Sequence, residues 1–242
     1  IRDQNMSISP DYIETAHGLL DEIGKRVLST APHDFGFNPT PLWEQEKVNI
    51  IQKLHRLIDA DFTPEKDIIA EKLNLVGERT PYRLEAGFGF DNNPVWIDLG
   101  DDIGKIRIRG KIDRIDRIGD SLVVMDYKSG STEIKPSEIS DGRNYQMLVY
   151  LEAVRQIAPN HKIGGGFFWH LSDVKGKGII NPESHEALLT TGKTRLSHQL
   201  SALREADFSV EPNKPQPNGL CTRYCEFGKL CRHYRAIDED EE

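Results

Sequence analysis

Two carboxylates and a lysine stand at a spacing that can do chemistry. Asp113 lies in Gly110-Lys-Ile-Asp113-Arg-Ile-Asp116, and Asp126 and Lys128 lie in Leu122-Val-Val-Met-Asp126-Tyr-Lys128. Residues two apart on an extended chain point the same way, so Asp126 and Lys128 share a face. Between the two segments, Gly119-Asp120 has the Gly-X signature of a two-residue type II′ hairpin. If that turn forms, Ile118 faces Ser121, and counting outward sets Asp113 opposite Asp126. Directly opposed residues have β-carbons about 4.5 to 5.5 Å apart, and like charges there repel. Two such carboxylates require a cation, a shared proton or a reason to tolerate strain. Hard oxygen ligands suit Mg²⁺, which takes one or two protein carboxylates and completes its octahedron with water and substrate phosphate. A lysine on the same face can orient the attacking water and stabilise charge on the phosphate. The chemistry indicated is metal-assisted hydrolysis of a phosphodiester. The bland alternative is a salt-bridge set on a solvent-facing strand, which is common. Against it, the apolar run Leu122 to Met125 marks a central strand, where an unpaired carboxylate is costly.

The elements that must position these residues follow from periodicity. Ser9-Pro10 starts a helix, and Ile13, Ala16, Leu20, Ile23 and Val27 carry it to about Leu28. Ser29 to Pro41 is loop-like, Leu42 to Ile58 is again helical, and Pro64 restarts a shorter helix to about Leu73. The period then changes to two. Strands are expected at Tyr82 to Phe90, Val95 to Leu99, Lys105 to Asp116 and Leu122 to Lys128. A helix from about Asp141 to Ala158, a strand at Ile163 to Leu171 and a helix from about Thr191 to Ala206 complete the series. This order predicts an α/β sandwich and not a simply alternating doubly wound sheet. Ile106, Ile108 and Ile112 share one face of the expected strand, which leaves Asp113 on the polar face with Arg107, Arg109 and Lys111. With Arg114 they could contact phosphates; any one of them reads as a solvated strand residue, but the cluster is the best candidate for local basic potential. Asn213 to Gly219, with Pro215 and Pro217, reads as a linker to a short cysteine-bearing tail.

Composition narrows the function classes. The 242 residues are 37% apolar, enough for one substantial core. There is no run of about 18 apolar residues, and Ile1 to Pro10 has no signal-peptide pattern, so the expectation is a soluble, intracellular protein with no membrane partner. The first residue is Ile rather than Met, as in an excised domain or a processed fragment. A net charge of -8 argues against a surface that coats nucleic acid throughout, while leaving room for a basic groove. The acidic end, Asp238 to Glu242, reads as a solvated tail. No G-x-x-x-x-G-K-[ST] loop is present, so this chain does not itself power unwinding.

Three segments in order, Gly110-Lys-Ile-Asp113-Arg-Ile-Asp116, Val123-Val-Met-Asp126-Tyr-Lys128-Ser-Gly130 and Gln146-Met-Leu-Val-Tyr150-Leu-Glu-Ala, resemble the motif series of RecB-type nucleases in the PD-(D/E)XK superfamily. That group includes the nuclease domains of RecBCD and AddAB helicase-nucleases and the CRISPR-associated iron-sulfur exonucleases. The resemblance covers most of residues 10 to 235. It implies a restriction-endonuclease-like core, a central mixed sheet flanked by helices. Residues 1–80 would form an N-terminal helical part, 81–210 the nuclease core, and 211–242 the linker, cysteine cluster and acidic tail. The implied activity is that of an exonuclease-like deoxyribonuclease in DNA recombination or repair, with Mg²⁺ or Mn²⁺, DNA as partner, a helicase subunit or domain as companion, and a nucleoid-associated cytoplasmic location.

By the same resemblance, Asp113 and Asp126 are metal ligands, joined by the peptide carbonyl of Tyr127 and by His17 on the first helix. From the residues alone, His17 shares a face with Ile13 and Leu20 and reads as a core histidine. Here Glu14-Thr15-Ala16 stand where the family often has a glycine before that histidine. Glu85, in Tyr82-Arg-Leu-Glu85, resembles the family's upstream glutamate, the alternative being a solvated strand residue. Gln146 and Tyr150 share a helix face and resemble the Q-x3-Y motif beside the active site. The alternative for them is the polar edge of an amphipathic helix. The competing function is a noncatalytic DNA-binding or scaffolding module, which the intact Asp113, Asp126 and Lys128 oppose. A third is a structural domain whose metal-bound tail is the functional part.

Cys221, Cys225 and Cys231 fall within eleven residues, and in an intracellular protein such clustering points to a metal or cluster before a disulfide. Cys225-x5-Cys231 followed by Arg232 resembles the C-terminal clamp of iron-sulfur RecB-type nucleases, but a [4Fe-4S] cluster takes four thiolates. No cysteine stands in residues 1 to 220. Three readings stay open: a cluster whose fourth ligand lies before Ile1, a Cys₃His zinc site with His233, or free thiols.

Overall fold

The computed structural model describes residues 6–63, 68–90, 94–130, 136–140 and 142–208. Strands β4 (Gly110–Ile118) and β5 (Ser121–Lys128) form the expected hairpin, pairing antiparallel from Ile118 against Ser121 to Arg114 against Met125. Gly119 adopts φ 56, the left-handed conformation that the first turn position demands. The remaining elements, in chain order, are helices α1 (Ile13–Asp34), α2 (Trp43–Phe62) and α3 (Ile68–Leu73), and strands β1 (Arg79–Phe88), β2 (Val95–Asp98) and β3 (Lys105–Ile108). After the hairpin come α4 (Pro136–Ser140), α5 (Gln146–Ile157), β6 (Lys162–His170), β7 (Lys175–Ile180) and α6 (Pro182–Arg204).

The main sheet runs β1-β4-β5-β6-β7. Among the described residues only β5 and β6 pair in parallel, so the sheet is mixed, and the connection between them carries α4 and α5. Side chains of β5 alternate between two cores. Leu122 and Val124 pack with Leu148, Leu151 and Val154 of α5. Val123 and Met125 face Ile69, Leu73, Phe167 and Trp169. A strand buried on both faces reads as a continuous apolar run, which is what Leu122 to Met125 shows.

Several expected boundaries move. The stretch expected as one strand from Lys105 to Asp116 is two, because the chain breaks at Arg109: β3 pairs with β2, while β4 pairs with β1. The expected basic row is therefore dispersed. Arg107 donates to the carbonyl of Gly89 at 2.9 Å, and Lys111 forms an ion pair with Glu85. Arg114 is buried. Helix α1 continues past Leu28 through Pro32; of that added stretch only Ala31 is buried, so apolar spacing could not reveal it. Helix α6 starts at Pro182 and not near Thr191, with the Asn181 side chain accepting the Ser184 N–H at 2.8 Å. Strand β7, with glycines at 176 and 178, has too little apolar alternation to be expected.

The chain divides into two compact units, Ile1–His198 and Gln199–Glu242. The sheet and every described candidate residue belong to the first. Of the second, only the end of α6 and the residues to Phe208 are described; the linker, Cys221, Cys225, Cys231 and the acidic tail lie outside the described residues.

Glycine in β6 is a packing requirement at Gly165, which adopts φ 112; a β-carbon there would stand 2.5 Å from the carbonyl oxygen of Ile180. Gly18, by contrast, has open space around its missing side chain. Gly165→Ala should lower stability by about 1 to 3 kcal/mol through backbone strain and overpacking. Gly18→Ala, within α1, should raise it by about 0.5 to 1 kcal/mol. Urea unfolding of the two variants checks both signs.

Candidate active site

Register brings the site together. Continuing the β4–β5 pairing one step beyond Arg114 and Met125 sets Asp113 across from Asp126, as the turn predicted. At that step Asp113 uses its side chain: Oδ2 accepts the backbone N–H of Tyr127 at 2.9 Å. Asp126 is 3% exposed and Lys128 follows on the same face, its Nζ 2.6 Å from Asp126 Oδ2. Lys128 also donates to Gln146 Oε1 at 2.8 Å. Gln146 Nε2 in turn donates to Asp126 Oδ1 and to the Tyr150 hydroxyl, both at 2.9 Å. The Gln146 side chain thereby ties α5 to the end of β5.

Electrostatics agree with this geometry. Burial pushes the Asp126 carboxyl above its ordinary value; Lys128 pulls it back in part, and the charge of Asp113 pushes it up again. Burial likewise raises the Tyr150 phenol, with the Gln146 hydrogen bond opposing and the two carboxylates adding to the rise. A raised carboxyl means that the ionised form is held at a cost, which a second positive charge would relieve. Asp126 Oδ2 has no hydrogen-bond partner of good geometry among the described residues, only the ion pair with Lys128. Two apposed carboxylates, one carrying a buried under-satisfied oxygen, are a donor set suited to a hard divalent cation. Among the described residues no three His, Cys, Asp or Glu side chains converge as a metal cage. A cation at Asp113 and Asp126 would complete its shell from backbone, water and substrate.

The other expected residues divide. Asp113, Asp126, Lys128, Gln146 and Tyr150 are brought together. Glu85 falls between the pairs Leu84–Arg114 and Ala86–Ile112, so it stands across from Asp113 on β1. Its φ of 51 is uncommon for a strand residue, and its carboxylate is paired with Lys111. His17 makes its contacts with α2. Its ring packs 4.6 Å from that of His55, with the two Nδ1 atoms in hydrogen-bond contact, and Nε2 lies 2.9 Å from Asp59 Oδ1. His55 is completed by Asp21, with Nε2 2.7 Å from Oδ1.

Sequence reasoning missed His170 and the charged residues behind the site. His170 is buried beside Lys128 in the parallel β5–β6 register, and its Nδ1 lies 2.9 Å from the carbonyl oxygen of Gly130. The available signal was a polar residue closing the apolar run Gly166-Phe-Phe-Trp-His170. Arg114, expected as a solvated member of a basic cluster, is instead enclosed. Its Nε and Nη2 donate to Asp116 at 2.8 and 2.6 Å, and its Nη1 donates to Asp61 Oδ2 at 2.7 Å and to the Tyr127 hydroxyl at 3.0 Å. Nothing in local sequence names Asp61, which comes from the end of α2.

Comparison with known proteins gives the family. The chain is 24% identical over 201 residues to an ATP-dependent helicase/deoxyribonuclease subunit of Lactococcus lactis subsp. lactis, covering 61% of this chain and 18% of that protein. It is 36% identical over 210 residues to the exonuclease/helicase subunit RexB of Lactococcus lactis subsp. cremoris, covering 65% and 19%. With an ATP-dependent helicase/deoxyribonuclease subunit of Acetivibrio thermocellus it shares 29% identity over 168 residues, covering 60% and 15%. The chain thus spans about a fifth or less of the length of these relatives. The family model of the PD-(D/E)XK nuclease superfamily matches residues 19–232, and the chain belongs to that superfamily.

Proposed function

We propose that this chain is a Mg²⁺- or Mn²⁺-dependent deoxyribonuclease, exonuclease-like, working in DNA recombination or repair as the nuclease portion of a helicase-nuclease. The observation that carries it is the convergence of Asp113, Asp126, Lys128 and Gln146 at one end of β4, β5 and α5. Family membership and relatives named as helicase/deoxyribonuclease subunits support the substrate class and the helicase partner. Asp113 and Asp126 would hold the cation, with the Tyr127 carbonyl, and a bound cation supplies polarisation of the phosphoryl oxygen and a more acidic water. His17 joins this set only by releasing His55 or Asp59, whose contacts occupy both of its ring nitrogens.

The chain's own groups do the rest. Asp126 is held by Gln146 and Lys128 so that its carboxylate cannot rotate away. Lys128, within reach of Asp126, orients water and offsets charge building on the phosphate. Gln146 and Tyr150 present polar atoms where DNA passes the site, and Glu85 extends the acidic row onto β1. The noncatalytic alternative leaves the partly buried Lys128–Asp126–Gln146 arrangement without a task.

End-labelled single- and double-stranded DNA should be cut with Mg²⁺ or Mn²⁺ and left intact with chelator. Asp126→Ala and Lys128→Ala should each lower cleavage by about a hundredfold or more while leaving the circular dichroism unchanged. Undiminished metal-dependent cutting by both variants would remove the assigned site.

The metal reading gives its own expectation, because Asp113 and Asp126 repel each other without a cation. Mn²⁺ at about a hundred times its dissociation constant should stabilise the wild type by roughly 2.7 kcal/mol. Thermal melting should show a smaller shift for Asp113→Asn. Equal shifts would place the ion elsewhere.

For Cys221, Cys225 and Cys231 we propose a [4Fe-4S] cluster whose fourth ligand comes from outside these 242 residues. A polypeptide extended upstream of Ile1 and purified without oxygen should absorb near 400 nm and carry about four irons. Stoichiometric zinc without iron would favour the Cys₃His site.

A further inference from the structure

We propose that Arg114 is a positioning residue for the metal-binding carboxylate Asp113, acting through Tyr127; this rests on the nuclease reading above. Strand alternation sends Asp113 and Asp126 to one face of the β4–β5 hairpin and their successors, Arg114 and Tyr127, to the other. On that far face Arg114 is 8% exposed and the ionisable side chain of Asp116 is fully buried. The guanidinium grips Asp116 through two nitrogens at 2.8 and 2.6 Å, and reaches Asp61 at 2.7 Å and the Tyr127 hydroxyl at 3.0 Å with the third. Asp61 is fixed in turn by Arg79 Nη2 at 2.7 Å.

The connection to the site is Tyr127 itself. Its ring is held from behind by Arg114, and its backbone N–H holds Asp113 Oδ2 at 2.9 Å. The last regular β4–β5 pair is Arg114 with Met125, so the carboxylate of Asp113 takes a hydrogen bond in the stretch beyond it. The orientation of the Tyr127 peptide therefore sets that carboxylate, and the same residue carries the carbonyl assigned to the cation. An unbroken path of short contacts runs from α2 through Asp61, Arg114 and Tyr127 to Asp113.

A buried ion cluster gives little net stability over well-packed apolar residues of the same volume. A geometric task is what distinguishes this one. Partners that orient metal ligands from outside the coordination shell commonly change metal affinity by about 10–100-fold when removed. Lysine in place of Arg114 keeps the charge but cannot span Asp116, Asp61 and Tyr127 with one planar fork.

The test uses the whole chain and two variants, Tyr127→Phe and Arg114→Lys. Tyr127→Phe deletes one hydroxyl and keeps the fold, so it decides the matter even if Arg114→Lys folds poorly. Calorimetric titration with Mn²⁺, without DNA, should show affinity weakened about tenfold in Arg114→Lys and several-fold in Tyr127→Phe. In cleavage assays at saturating Mn²⁺, KM for DNA should stay at the wild-type value, because both side chains point away from the substrate face. Wild-type Mn²⁺ affinity in Tyr127→Phe, or a rise in KM with unchanged Mn²⁺ affinity, overturns the inference while leaving the nuclease reading in place. A wild type that neither binds Mn²⁺ nor cuts DNA overturns the nuclease reading and this inference with it.

Discussion

The apposition of Asp113 and Asp126 governs the rest of the structure near it. Two carboxylates set across neighbouring strands repel, and the protein holds them there by several independent means. The Gly119 turn fixes the register, Tyr127 holds one carboxylate, and Lys128 and Gln146 hold the other. The raised carboxyl of Asp126, driven first by burial, is the residual strain of that arrangement. In stability terms its sign is definite. A carboxyl raised above its unfolded value favours the fold at low pH and loses that contribution as pH rises through the folded value. As pH rises through that value the cation-free site therefore loses stability, and a bound cation would offset the loss.

Behind the same strands lies a second set of charges arranged in the opposite sense. Burial raises Asp61, but Arg114 and Arg79 more than offset it and leave its carboxyl below the ordinary value. Asp116, the more deeply enclosed partner, is raised by burial despite Arg114. Two guanidinium groups face two carboxyl groups there, so each acidic side chain of the far face has an arginine partner within the chain. The far face ties β4, β5 and α2 together through charges of its own.

How much of this could be read from sequence depends on how local each cause is. The β4–β5 hairpin was legible because Gly119 dictates the turn and the pairing then follows by counting. The pairing of Asp126 with Lys128 and of Gln146 with Tyr150 was legible from periods of two and about four. The break at Arg109 was not, since it depends on which strands β3 and β4 choose as partners, and an alternating pattern is silent about partners. Arg114 reads as solvated for the same reason. Alternation assigns it a face correctly but cannot show that α2 covers that face with Asp61. His17 reads as a ligand by resemblance, while its contacts to His55 and Asp59 depend on how α1 meets α2.

Topology explains why Gln146 closes the site. Strands β5 and β6 are parallel, so the chain leaving Lys128 must return to the start of β6 before it can pair. Helix α5 makes that return, and its first residue consequently lies near the end of β5 and its last near the start of β6. A polar side chain at the first helical position falls beside Asp126 and Lys128, and one four residues later lies on the same helix face, one turn on. The hydrogen bonds from Gln146 to Asp126 and Tyr150 are that geometry realised. The order of the chemistry along the chain, two aspartates and a lysine on a hairpin and then a glutamine and tyrosine on the next long helix, is therefore a consequence of the parallel pairing of β5 with β6. A substitution that shortened α5 by a turn would move Gln146 away from Lys128 without touching either strand.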